Sequence, residues 1–140
     1  MIRLALSLTV IASTAAADPV PGAAEALNGL RAQVDAPPLV LSPQLQAAAE
    51  AHGRDMVTKG YFDHKGRDGS SIATRVKREG YRYCFAAENI ARGQKSLNDV
   101  MGGWAMSPGH RKNMLSKEAR EFGLARVGTT WVMVLGRSGC

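Results

Sequence analysis

The sequence predicts an α+β fold, a three-layer α-β-α sandwich around a small, largely antiparallel central sheet. Two observations carry the prediction. The stretch Trp131-Val132-Met133-Val134-Leu135 is apolar at every position. A strand covered on one face alternates apolar and polar residues, so this one is read as buried on both faces, with helices on each side. The segment Gly123 to Val127 precedes it across Gly128-Thr129, a turn of the hairpin kind that sets the two strands antiparallel.

The elements follow in order. Met1 to Ala17 reads as a secretory signal. Arg3 supplies the positive start, Leu4 to Ala12 an apolar core too short to span a bilayer, and Ala15-Ala16-Ala17 the small-residue cleavage site. Residues 18–22 form a leader with two prolines, and residues 23–140 a single domain. Ala23, Ala26, Leu27, Leu30 and Val34 lie at helical spacing, and Ala36-Pro37-Pro38 stops that helix. Ser42-Pro43 opens a second helix, Ser as N-cap and Pro in the first turn, where its missing N–H costs nothing. Leu45, Ala48, Ala49, His52 and Met56 share one face of it, and Lys59-Gly60 ends it. A polar loop, Tyr61 to Gly69, leads to Ser70-Ser71, which caps a third helix closed by Gly80. Tyr81 to Ala91 has the aromatic, alternating look of a strand. Ser96 caps a fourth helix, with Leu97, Val100, Met101 and Trp104 on one face and Asp99 completing a capping-box pattern. Ser107-Pro108 ends it and opens a short helical turn through Leu115.

Composition narrows the function. Of 140 residues 45% are hydrophobic and 21% charged, close to globular averages, which excludes a disordered or fibrous chain. Eighteen Lys and Arg against twelve Asp and Glu suit an anionic partner. The basic residues are interleaved with acids and aromatics are only 6%, so no stacking platform for nucleic acid is expected. Past the signal, no segment has the apolar length of a membrane helix, and the mature protein is expected to be secreted or periplasmic and monomeric. In an oxidising compartment the lone pair Cys84 and Cys140 favours one disulfide.

Chemistry-bearing residues are few. Of the three histidines, His110 follows Ser107-Pro108-Gly109 and falls in the first turn of its helix. The positive end of the helix dipole disfavours a cation there, and the neutral imidazole can ligate a metal or accept a proton. Glu88 shares a strand face with Cys84, Ala86 and Ile90, where a carboxylate needs a cation, a metal or several donors. His64 lies in the polar loop, and His52, on the apolar face of the second helix, is read as packed.

Six blocks, in order, make the sequence recognisable. They are His52-Gly53-Arg54-Asp55-Met56, Tyr61-Phe62-Asp63-His64, Arg75 with Gly80-Tyr81, Ala87-Glu88-Asn89-Ile90-Ala91, Val100-Met101-Gly102-Gly103-Trp104, and Ser107 to Leu115. Together they resemble the CAP superfamily (cysteine-rich secretory proteins, antigen 5 and pathogenesis-related proteins; the SCP domain) in a short bacterial form. The resemblance implies an α-β-α sandwich and a cleft where two histidines and two acids converge. His64 matches the first histidine, Glu88 the first acid and His110 the second histidine. The second acid falls on Ser107, so one carboxylate is missing. Asn89, Arg111 and Asn113 stand in the matching blocks as support for the cleft.

Two function classes follow. The preferred one is a binding module for an extracellular or cell-envelope ligand, a glycan, lipid or peptide, with a divalent metal such as Zn²⁺ weakly held by His64 and His110. The alternative is a metal-assisted hydrolase, with His64 and His110 holding Zn²⁺ and Glu88 as base or orienter. Ser107 is entered with Glu88 as a catalytic candidate, although a serine nucleophile needs an orienting group and oxyanion donors.

Overall fold

A computed structural model describes residues 20–140. The expected signal sequence and its cleavage site lie outside the described residues. Among the described residues nine elements follow one another: α1 (Ala23–Ala32), β1 (Val40–Leu41), α2 (Pro43–Lys59), α3 (Ile72–Arg78), β2 (Tyr83–Arg92), α4 (Leu97–Met106), α5 (Pro108–Met114), β3 (Glu121–Val127) and β4 (Thr130–Ser138).

The strands form one sheet in the order β1-β3-β4-β2. β4 lies antiparallel to both β3 and β2, and β1 joins β3 in parallel. The all-apolar stretch is buried on both faces. Trp131, Met133 and Leu135 pack with Leu27 of α1, Val100 and Trp104 of α4 and Met114 of α5. Val132 and Val134 point the other way, onto Leu45, Ala49 and Met56 of α2 and Val76 of α3. The fold is the three-layer sandwich expected, with a mixed sheet that is mostly antiparallel.

Several boundaries differ from the sequence reading. β1 was not anticipated: two residues between two proline-marked turns carry no periodicity, and only pairing with Glu121 and Phe122 makes them a strand. α1 stops at Ala32, leaving Val34 in the turn. α3 is capped by Ser71 alone, whose Oγ accepts from the Thr74 N–H at 3.2 Å. β2 begins at Tyr83 because Tyr81 still closes α3, its N–H donating to the Val76 carbonyl. At Ser96 the hydroxyl accepts from the Asp99 N–H, which is one half of a capping box.

Side chains complete the backbone pairing where strands run past their neighbours. Gln46 of α2 both donates to the Leu124 carbonyl and accepts from the Leu124 N–H. On the far side of the sheet, Trp104 donates to the Ile90 carbonyl and Asn113 to the Glu88 carbonyl. Cys84 and Cys140 are joined, their Cα atoms 6.0 Å apart and 56 residues apart in sequence. A loop of that length gives the bond roughly 2–4 kcal/mol of stabilisation on entropic grounds.

Arg31 occupies a core position one turn after Leu27. Its guanidinium donates to the carbonyls of Pro37 (2.8 Å), Met114 (2.8 Å) and Ser116 (2.9 Å), so a buried cation is held by the last carbonyl of α5, one just beyond it and one in the turn after α1. Arg31→Lys replaces this fork with a point charge that cannot reach all three acceptors. The expected loss is about 2 kcal/mol, read as a lower urea midpoint at unchanged slope.

Candidate functional site

The site is built around Glu88. On β2 the side chains of Ala86 and Ile90 pack toward α2 and α3. Glu88 pairs across the sheet with Val134 on the same face. Cys84 does not share this row as expected. The register shifts between Tyr83 and Phe85, so Tyr83 takes the inward place and Cys84 is exposed at the sheet end.

The Glu88 side chain is 2% exposed, and its oxygens are paired separately. Oε2 accepts from Arg75 Nη2 at 2.8 Å, and Oε1 accepts from His64 Nδ1 at 2.8 Å. Arg75 Nη1 donates to the Ser70 carbonyl at 3.0 Å. A buried carboxylate is thus matched by a buried guanidinium, the arrangement that burial of either charge demands. The sequence reading placed Arg75 only in a matching block and a basic run. Its position three residues after Ile72 and one before Val76, on the apolar face of α3, is the signal that could have marked it as buried.

His64 leaves 57% of its side chain exposed. Because Nδ1 donates to Glu88, Nε2 carries a free lone pair toward solvent. The hydrogen bond to Glu88 raises the imidazole pKa, against a smaller opposing effect of burial. His110 behaves oppositely: burial, followed by the charge of His64, lowers its pKa. Both effects favour the neutral imidazole expected for His110. Its ring lies tilted against Trp104, centroids 6.4 Å apart.

Asn89 and Asn113 are framework. Asn89 donates to the His110 carbonyl at 3.0 Å and accepts from Asn113 at 2.9 Å, clipping α5 to β2. Arg111 is exposed on α5, within 3.5 Å of the Ala105 carbonyl. Ser107 N-caps α5 by position, without a side-chain capping bond. Among the described residues its hydroxyl makes no hydrogen bond to His64 or His110. His52 is packed, 1% exposed.

The donor set bears on the metal. Among the described residues no group of three or more His, Cys, Asp or Glu side chains stands close enough to hold an ion. His64 through Nε2, together with His110, offers two imidazoles, which is short of a closed protein-made zinc site.

The fold and this site define a small α-β-α domain with a carboxylate-oriented histidine at the sheet face. Residues 24–134 match the CAP family, the cysteine-rich secretory protein family, and the chain belongs to it. It is 37% identical over 109 residues to the protein YkwD of Bacillus subtilis, covering 76% of this chain and 42% of that one. A second Bacillus subtilis relative, the membrane protein YlbC, is 30% identical over 76 residues, 54% of this chain and 22% of its own length. The chain thus spans less than half the length of either relative. Among solved structures, an extracellular protein containing a SCP domain from Bacillus anthracis superposes with a TM-score of 0.82 at 25% identity, over 85% of this chain and 40% of that one. An outer surface protein from Borrelia burgdorferi superposes at 0.77 and 19% identity, covering 82% of this chain and 89% of its own.

Proposed function

We propose that the protein is an exported CAP domain that binds an extracellular or cell-envelope ligand, a glycan, lipid or peptide, in the cleft of His64 and His110. The observation that carries this reading is the occupation of Glu88. Both oxygens are engaged by buried or tethered donors, so the carboxylate orients His64 instead of standing free as a general base. The export expectation is supported by the lone disulfide and by relatives described as extracellular or outer-surface proteins. No helix of the described residues is long and apolar enough to cross a membrane. Calorimetric titration with cell-wall glycan fragments, anionic lipid vesicles and an unstructured peptide tests the reading. One class should bind and be recovered intact, with affinity at least about tenfold weaker in His64→Ala, equivalent to about 1.4 kcal/mol. Turnover of the ligand that vanishes in His64→Ala would replace binding by hydrolysis.

The hydrolase alternative draws on one feature, the carboxylate–imidazole pair, which is the second-shell pattern of metal-ligating histidines. A Zn²⁺ ion held by His64 and His110 would supply a Lewis acid. Thermal unfolding checks the ion directly. Zinc at about 100 times its dissociation constant should add roughly 2.7 kcal/mol to the wild type and nothing to His64→Ala or His110→Ala. Because Glu88 raises the His64 pKa, protons compete for Nε2 at higher pH than for a free imidazole. The zinc gain should therefore be full above the His64 pKa and fall away as pH drops through it. Equal gains in all three proteins would remove the ion from this cleft.

A further inference from the structure

Two buried side chains grip the two ends of the segment that carries His64. Arg75 holds its far end at the Ser70 carbonyl, 3.0 Å away. His52 holds its near end: Nε2 stands 2.9 Å from the carbonyl oxygen of Asp63, the residue before His64. A carbonyl only accepts, so the hydrogen lies on His52 Nε2 and the ring is the Nε2–H tautomer. Glu88 Oε1 is 3.8 Å from the same nitrogen, beyond hydrogen-bond reach, and takes its bond from His64 instead.

Packing alone does not account for an imidazole here. Among the described residues His52 Nδ1 is buried with no hydrogen-bond partner, a burden that a leucine of similar size would not bring. The ring is explained by what its other nitrogen does. With the Asp63 carbonyl fixed, the next Cα is set, and His64 Nδ1 arrives 2.8 Å from Glu88. Residues 62–65 are themselves exposed, and the other ties on the segment lie to either side of Asp63 and His64: Arg92 donates to the Tyr61 carbonyl and lies over the Phe62 ring before them, and the Gly66 N–H donates to the Ser70 carbonyl after them.

We infer that His52 is the positioning residue of the cleft: by donating Nε2–H to the Asp63 carbonyl it places His64 against Glu88 and so selects Nε2 as the nitrogen presented to ligand. This deepens the binding reading above, because it rests on His64 being the group that faces ligand. It also gives the His52-Gly53-Arg54-Asp55-Met56 block a task distinct from core packing.

The test is the tautomer of each histidine in long-range ¹H–¹⁵N spectra of the labelled protein, with the pH raised until the ¹⁵N shifts no longer change and each ring is neutral. In the wild type His52 should be Nε2–H and His64 Nδ1–H. In His52→Leu, His64 should shift to mainly Nε2–H, the form that an unrestrained neutral imidazole prefers. His52→Gln, whose amide reaches the Nε2 position, should restore Nδ1–H, a rescue that a packing role would not produce. Should the leucine variant not fold, His52→Asn takes its place, because its amide stops short of the Asp63 carbonyl. An Nδ1–H tautomer at His52 in the wild type, or an unchanged His64 without the donor, overturns the inference. These spectra need no ligand, so a failed ligand search and a failed positioning role are separate results.

Discussion

Glu88→Ala is expected to lower stability by about 3–5 kcal/mol, the range found when one member of a buried ion pair is removed. The loss arises from what stays behind. Arg75 is buried, its Nε has no partner among the described residues, and without Glu88 its guanidinium keeps the Ser70 carbonyl as its one hydrogen-bond acceptor among them. His64 loses its acceptor at the same time, so the segment above β2 is released from one of its anchors. Urea unfolding should show a lower midpoint. The double variant Glu88→Leu with Arg75→Met should recover much of the loss, since exchanging both charges for apolar groups leaves nothing unpaired. If the double variant is as unstable as the two single losses combined, the pair is not the source of the effect.

Gly123→Ala is expected to be comparably severe, at least about 3 kcal/mol, through overpacking rather than charge. A Cβ at this position would stand 2.3 Å from Gln46 N and 2.4 Å from Leu45 C, both backbone atoms that cannot turn aside. α2 lies on β3 closely enough that only hydrogen fits between them, and that approach lets Gln46 reach Leu124. Gly29→Ala is the matching control. Its added Cβ meets nothing within 4 Å on α1, so the change should stabilise by about 0.4–1 kcal/mol. Thermal unfolding of the two variants should move in opposite directions.

The layers were legible in the sequence because they rest on periodicity and capping, which are local. Ser42, Ser71 and Ser96 each cap the helix expected of them, and the uniform apolarity of 131–135 correctly demanded cover on both faces. The site was legible as residue types: a carboxylate on an apolar strand face, a loop histidine, and a histidine at a helix start. What remained hidden depends on contacts between distant segments. Arg31 reads as an ordinary surface arginine until α5 brings its carbonyls across 83 residues of chain. Arg75 became the partner of Glu88 only when α3 settled on the sheet, and β1 exists only by pairing. His52 was correctly placed in the core. The use of its second nitrogen could not be read from a helical face, because the Asp63 carbonyl arrives from outside the helix.

The side chains that finish the strand pairing bear on how the molecule meets other polypeptides. An open strand edge is a template for a further strand, the route by which extended peptides are captured and by which sheets polymerise. Here β1 offers two residues, Gln46 occupies β3 beyond them, and Trp104 and Asn113 occupy carbonyls along β2. A peptide entering the cleft would therefore be read by side chains, through imidazole and guanidinium, and not by backbone addition. For the same reason neighbouring copies at high concentration have little edge on which to zip together.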